Sequence, residues 1–163
     1  MYRQHTYCSF CGRPFQEGQR WPRICGHCGS TTYRNPLPVA LVLLPVDDGL
    51  LVIRRAAAPR QGQLALPGGF VEMHESWQQA AARELREEAG VIVAPELITD
   101  FGARSTNDGY LLVFGLGPHL HSAELAPFVP NREAEARVII TAPADLAFPL
   151  HTEMVHQFFA RRS

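Results

Sequence analysis

The sequence predicts an α/β layer fold preceded by a short cysteine-rich segment, and three observations carry that prediction. Hydrophobic periodicity begins only at Leu37. From there, apolar runs of strand length alternate with turn residues and with segments of helical period, which is the pattern of a layered α/β or α+β domain. All four cysteines fall within the first thirty of the 163 residues. A chain of this length can bury one ordinary core and carry a small appendage that something other than a core must hold together.

The appendage comes first. Residues 1–34 are rich in Cys, Gly, Pro and polar residues and poor in aliphatics. Cys8-Ser-Phe-Cys11-Gly12 and Cys25-Gly-His-Cys28-Gly29 form two C-x-x-C-G knuckles thirteen residues apart. That spacing suits tetrahedral ligation of Zn²⁺ by four sulfurs in a small ribbon. Two disulfides are the alternative, but no export signal is read at the polar start, residues 1–7, and a thioredoxin-type redox pair would need a strand-to-helix context absent there. A closed four-sulfur site has no open coordination position, so this metal is expected to stabilise folding and not to perform chemistry. His5 and His27 are surplus to the ligand set and are expected at the surface.

Residues 35–38, Asn-Pro-Leu-Pro, read as a connector to a second domain over 35–163. Residues 39–44 form a continuous apolar run suited to a buried strand. Asp47-Asp48-Gly49 supplies turn residues, and residues 50–53 answer as the returning strand of a hairpin. Residues 63–67 look extended and lead into Gly68-Gly69. A helix follows over 77–89, with Ser76 as N-cap, Gln79 completing a capping box, and Gly90 ending it. Residues 91–93, 97–102, 110–115 and 137–140 read as further strands. Thr152 is the expected cap of a last helix with Val155, Phe158 and Phe159 on its apolar face. Residues 104–109 and 119–135 are the longest loops, and loops of that length are often binding loops.

The net charge of −1, from 15 basic and 16 acidic residues scattered along the chain, offers no broad basic face, so nucleic acid is disfavoured as a partner. The longest apolar run, between Pro38 and Pro45, is far short of the ~20 residues of a membrane helix, and a soluble cytoplasmic protein is expected.

The chemistry concentrates on the helix over 77–89. At about 100° per residue, Glu84, Glu87 and Glu88 share one narrow face beside an apolar stripe of Ala81, Ala82, Leu85 and Ala89. A solvated acidic face is the ordinary explanation of such a run, and Arg83 can pair with Glu87 one turn on. Against it, Glu84 repels Glu88 at i,i+4 and Glu87 at i,i+3. All three also lie toward the helix C-terminus, where the macrodipole disfavours each by about 0.3–1 kcal/mol. Hard divalent cations want such clustered oxygens, and Mg²⁺ in particular is held by a few carboxylates together with substrate phosphates.

Gly69-Phe-Val-Glu-Met-His-Glu75, then seven residues, then Arg83-Glu84-Leu85-Arg86-Glu87-Glu88-Ala89-Gly90-Val91 resembles the box of the Nudix hydrolases, G-x5-E-x7-R-E-U-x-E-E-x-G-U with U aliphatic, at every defined position. The resemblance extends over most of residues 36–163. It implies an α/β/α sandwich with a mixed sheet. It also implies Mg²⁺, with Mn²⁺ as a substitute, bound by Glu84, Glu87 and Glu88 and by the Gly69 carbonyl. Glu75 and Arg83 brace the loop against the helix in that reading. The implied reaction is attack of an activated water on a phosphorus of a P–O–P bridge. The family often takes its general base from outside the box, and Glu133 and Glu135 are the candidates for base or further metal ligand, with a solvated loop carboxylate as the alternative for each. A homodimer is common among Nudix relatives.

A zinc ribbon followed by Tyr33-Arg34-Asn35-Pro36 and this box is similar to a Nudix subgroup of NADH, ADP-ribose and FAD pyrophosphatases. NADH enzymes carry S-Q-P-W-P-F-P-x-S after the box. Residues 101–110 here read Phe-Gly-Ala-Arg-Ser-Thr-Asn-Asp-Gly-Tyr, without proline or tryptophan, so ADP-ribose or FAD moves ahead of NADH. Arg54, Arg55 and Arg104 are candidate phosphate contacts and Tyr110 or Phe128 a candidate base platform, although arginines ordinarily sit on solvated surfaces and such aromatics on core faces. Trp77 shares the glutamates' sector and reads as a packing residue. A nucleotide-sensing or partner-binding module without turnover is the reading from another class, which the intact glutamate set disfavours.

Overall fold

The strand Leu37–Val46 organises the larger part of this computed structural model, which describes residues 4–162. Residues 1–3 of the expected ribbon segment and residue 163 of the expected second domain lie outside the described residues. The chain divides into two units, Met1–Pro36 and Leu37–Ser163.

In the first unit, β1 (Arg23–Ile24) pairs antiparallel with β2 (Thr31–Thr32), and an isolated bridge joins Tyr7 to Pro14. The β1–β2 pair flanks the Cys25–Cys28 knuckle and the single bridge flanks the Cys8–Cys11 knuckle.

In the second unit, β3 (Leu37–Val46) runs antiparallel to β4 (Gly49–Arg55), antiparallel to β6 (Gly68–Phe70) and parallel to β8 (Tyr110–Leu116). β8 pairs antiparallel with β7 (Thr99–Ser105), and β4 pairs antiparallel with β5 (Leu64–Ala65) and β9 (Ala134–Ile140). Among the described residues this is a seven-stranded mixed sheet. The run of buried residues in β3 and β4 follows from cover on both faces. Ala40, Val42, Leu44, Leu51 and Ile53 pack on α1 (Trp77–Ala89), whereas Leu41, Leu43, Leu50 and Val52 pack on α2 (Pro149–Ala160) through Met154, Val155 and Phe158. The expected α/β/α sandwich is therefore present. The hairpin turn holds Asp47 at φ 48°, and a side chain at Gly49 would collide with Ile139 and the Ile140 carbonyl.

Several elements differ from the sequence expectation. Leu37 and Pro38 belong to β3, not to a connector. The Leu37 N–H turns to the Gly109 carbonyl, and Pro38 faces the β6 side at the end of that ladder, accepting from the Val71 N–H, so its missing donor costs nothing there. Residues 91–93 form no strand. Val91 and Val93 are buried and Ile92 is exposed, so the alternation reflects an extended chain crossing the end of α1 without a ladder partner. It runs into a 3-10 turn at Pro95–Leu97, which removes Leu97 from the next strand and moves that strand to residues 99–105. Arg104 therefore lies in β7, and the expected loop shrinks to residues 106–109. β9 begins three residues earlier than expected, which places Glu135 in a strand. Thr152 does not cap α2: Pro149 occupies the first helical position, where its absent N–H is no loss, and the Thr152 hydroxyl accepts from the Leu146 N–H at 2.9 Å.

Candidate active site

Helix α1 begins and ends where local chemistry dictates. The Ser76 hydroxyl accepts from the Gln79 N–H at 3.2 Å, the Gln79 side chain accepts from the Ser76 N–H at 2.7 Å, and Gly90 closes the helix at φ 67°. Small residues, Ala80, Ala81 and Ala82, line its buried face, so the helix approaches the sheet closely and its next row, Glu84 and Glu88, is drawn under β6. Both glutamates are buried, 9% and 6% exposed. Glu88 Oε2 accepts from the Gly68 N–H at 2.8 Å, and Glu84 Oε1 from Arg83 Nη1 at 2.7 Å. A Cβ on Gly69 would fall onto the Glu84 carboxylate; only glycine leaves room for that carboxylate.

A third carboxylate arrives from the segment before β9. Carboxylate oxygens of Glu84, Glu88 and Glu133 lie within 4.8 Å of one another. Asn131 fixes this approach. Its Nδ2 donates to the Glu87 and Glu88 carbonyls at 3.0 and 3.3 Å, and its Oδ1 accepts from the Glu133 and Ala134 N–H groups, both at 2.9 Å. One side chain thus ties the end of α1, whose carbonyls lack intrahelical partners, to the Glu133 segment. The Ala56 N–H donates to the Glu133 carbonyl at 2.9 Å, and Arg137 donates to the Ala89 carbonyl at 3.0 Å.

Burial makes this cluster costly without a cation. Desolvation pushes Glu88 up to about 8 against the opposing Gly68 hydrogen bond, with Glu84 and Glu133 adding repulsion. Desolvation also raises Glu84, although Arg83 beside it acts the other way. Three convergent carboxylates, two of them buried, are the donor set a hard divalent cation requires, and the residues present fit such an ion.

Beside the cluster, Arg83 clamps Glu75 with two hydrogen bonds, Nε to Oε2 at 3.2 Å and Nη2 to Oε1 at 2.8 Å, and donates from Nη2 to the Phe70 carbonyl at 3.0 Å. The Glu72 N–H adds a bond to Glu75 Oε1 at 2.8 Å. Arg83 holds the Glu75 carboxyl below its usual range, and Glu75 in turn makes Arg83 harder to deprotonate. The loop between β6 and α1 is thereby pinned to the helix.

The other residues singled out by sequence are dispersed. Glu87 turns outward, half-exposed, 3.4 Å from Arg83 and 3.6 Å from Arg86, and is outside the trio. Glu135 lies 3.9 Å from Arg54, whose Nη1 donates to the Gly62 carbonyl. Arg104 pairs with Glu153 at 2.8 Å. Phe128 lies beneath Arg137, and Trp77 packs on the core. Tyr110 lines a cleft of about 580 Å³ together with Arg55, Phe70, Phe148 and His151. Arg55, Gly68, Gly69 and Phe70 also line the adjoining cleft over Glu84, Glu88 and Glu133, so the two clefts share a wall. Sequence reasoning missed Asn131 and His151. A lone Asn in a loop and a lone His in an apolar helix carry no motif, and only the fold brings them to these positions.

In the ribbon unit, the four Cys sulfurs lie within 4.8 Å of one another, with Cys8–Cys28 at 3.7 Å and Cys11–Cys25 at 3.6 Å. These separations exceed the ~2.05 Å of a disulfide and match the ~3.8 Å edge of a tetrahedron with Zn–S bonds of about 2.3 Å. The Gly12 and Gly29 N–H groups close the knuckles on the Cys8 and Cys25 carbonyls, at φ 71° and 73°. His5 and His27 are exposed.

The NUDIX domain model matches residues 35–158. The NAD-capped RNA hydrolase NudC of Edwardsiella ictaluri is 38% identical over 89 residues, 54% of this chain and 34% of that protein. That of Salmonella typhi is 36% identical over 93 residues, 56% of this chain and 36% of that protein. The matched stretch spans about a third of the length of these curated relatives. Among solved structures, a NUDIX hydrolase from Nitrosomonas europaea superposes with a TM-score of 0.73 at 27% identity, covering 96% of this chain and 92% of that one. The NUDIX domain of Shewanella oneidensis NrtR complexed with ADP ribose gives 0.65 at 19% identity, covering 80% and 91%, a likeness of fold alone. No helix among the described residues is long and apolar enough to cross a membrane. Since the family's domain spans most of the chain and its signature helix carries the buried carboxylates just described, this chain belongs to the NUDIX family.

Proposed function

We propose that the protein is a divalent-metal-dependent hydrolase that cleaves the pyrophosphate bridge of a nucleoside diphosphate derivative. The observation that carries this reading is the convergence of Glu84, Glu88 and Glu133 within 4.8 Å, two of them buried. Residues 1–34 are assigned to the zinc ribbon and 35–163 to the hydrolase domain.

Glu84, Glu88 and the Gly69 carbonyl would hold Mg²⁺ or Mn²⁺, with Glu87 at the outer edge. A cation there supplies polarisation of a phosphoryl oxygen and neutralises charge as it develops on the leaving phosphate. Glu133 stands opposite the helix, on a separate segment that Asn131 holds, and takes the proton of the attacking water. Glu135, beside Arg54, is not assigned to chemistry. Arg83 and Glu75 position the Gly69 loop. Arg55, at the wall shared by the two clefts, meets the second phosphate. Cys8, Cys11, Cys25 and Cys28 hold Zn²⁺ for folding, which requires the reduced thiols of a cytoplasmic setting.

ADP-ribose or FAD, releasing AMP, is the favoured substrate because residues 101–110 lack the proline- and tryptophan-rich signature of NADH enzymes. Cleavage of an NAD-type substrate is the second reading, favoured by the similarity to NAD-capped RNA hydrolases. Incubation with Mg²⁺ and a panel of ADP-ribose, FAD, NADH, NAD and nucleoside triphosphates, with products separated by chromatography, decides between them. AMP from ADP-ribose or FAD supports the first reading, AMP from NADH or NAD the second. A silent panel with tight nucleotide binding would replace both with a sensor.

A further inference from the structure

We propose that His151 reads the nucleobase: the cleft beside the carboxylate cluster takes the purine of the nucleotide, and His151 donates a hydrogen bond from Nε2 to a ring acceptor of that base. The proposal rests on the pyrophosphatase reading for the placement of the phosphates.

His151 stands in the first turn of α2 and is 6% exposed. Its Nδ1 accepts from the buried Leu66 N–H at 3.3 Å, so the neutral ring carries its proton on Nε2. Burial, helped by the nearby Arg55 charge, pushes the ring's pKa down to about 4, and the donor therefore persists unchanged at neutral pH. Among the described residues Nε2 has no partner, and no fully buried side-chain nitrogen or oxygen lacks one. Nε2 is therefore not sealed in the core, and the surface His151 presents is the wall of the 580 Å³ cleft.

The surroundings suit a flat heteroaromatic ring. Phe148 and Phe114 hold the imidazole at centroid distances of 5.0 and 6.2 Å, while Phe70 and Tyr110, 6.0 Å apart, stand on the same cleft with Leu41 and Leu112. A buried neutral donor within such walls rejects a group that brings no acceptor, because the donor loses water and gains nothing. Arg55 lines both this cleft and the one over the glutamates. A nucleotide with its phosphates at Arg55 would thus place its base beside His151.

The test is a set of imidazole ¹H–¹⁵N spectra of the full chain, titrated with AMP without added divalent cation, with His151→Asn identifying the resonance. Asn keeps an oxygen to accept from Leu66 N–H and removes the Nε2 donor. Expected are an Nε2–H tautomer at pH 7, an Nε2 shift that saturates with AMP, and AMP affinity roughly 2- to 10-fold weaker in His151→Asn, partly regained in His151→Gln. A proton on Nδ1, an Nε2 resonance unmoved at AMP saturation, or no AMP binding by the wild-type chain would overturn the proposal. If His151→Asn fails to fold, His151→Gln identifies the resonance, and the wild-type spectra then decide. AMP binding needs no turnover, so a protein that binds AMP at His151 and hydrolyses nothing contradicts the pyrophosphatase reading alone. One that hydrolyses ADP-ribose with Nε2 unmoved contradicts this inference alone.

Discussion

The Gly68 amide donates a 2.8 Å hydrogen bond to Oε2 of Glu88, joining the strand before the β6–α1 loop to a carboxylate that is 6% exposed. The bond orients Glu88 but does not offset its burial, since the carboxyl still sits at about 8. Two consequences can be measured, one in stability and one in turnover.

Without added divalent cation, stability should fall as pH rises from about 6.5 to 8. The folded pKa of Glu88 is raised from 4.5 to about 8, so the folded state binds more protons than the unfolded state in that window and loses stability as they leave. His151 has the opposite sign: lowered from 6.5 to about 4, it contributes stability above 6.5 that is lost as pH falls toward 4. The two slopes oppose each other between 4.5 and 6.5, and above that the Glu88 slope continues without the His151 one. The expected loss is on the order of a few kcal/mol by pH 8.5, read by urea unfolding, and Glu88→Gln should flatten it. A wild-type curve that is flat or rises with pH would refute this.

Asn131→Ala should release Glu133 from the end of α1. Four hydrogen bonds go with it, and a loss of about 1–3 kcal/mol is expected. The fall in kcat should exceed the rise in KM, because a carboxylate is misplaced and no phosphate contact is removed. Steady-state kinetics with unchanged kcat would show that Glu133 needs no such support.

Gly69→Ala should weaken Mn²⁺ binding by at least about tenfold, because the new methyl occupies the space of the Glu84 carboxylate. Mn²⁺ titration followed by electron paramagnetic resonance measures this directly, and wild-type affinity in the variant would mean that the loop yields freely.

Cys11→Ser should remove the equivalent of bound zinc and unfold the ribbon, which has β strands of only two residues to hold it. Elemental analysis together with amide spectra of residues 4–36 tests it; a dispersed ribbon spectrum without zinc would contradict the assignment.

The sequence made α1 legible to the residue because Ser76, Gln79 and Gly90 act locally, and β3 and β4 because a fully covered strand pair is apolar throughout. Elsewhere local signals competed. Thr152 looked like a cap but Pro149 set the start of α2, and the alternation of Val91, Ile92 and Val93 reported burial without pairing. That Glu133, and not Glu135, lies beside Glu84 and Glu88 follows from Asn131 and from the register shift at Arg54/Arg55 between β4 and β9, which no spacing encodes. All three candidate arginines have partners, Arg54 in the Gly62 carbonyl and Glu135, Arg55 in the Pro59 carbonyl and Arg104 in Glu153, and of the three Arg55 is the one that lines both clefts, a position set by the fold and not by spacing. Glu84 and Glu88 were readable because their placement on one helix was costly; Glu87 shares the motif but turns to Arg83 and Arg86.

The most direct test of the carboxylate centre is Mg²⁺-dependent AMP release from ADP-ribose by the wild-type chain and by Glu88→Gln, side by side at pH 7.5. Turnover is expected in the wild type and a loss of at least about a hundredfold in the variant, with the fold intact. Equal turnover in the two proteins would contradict it.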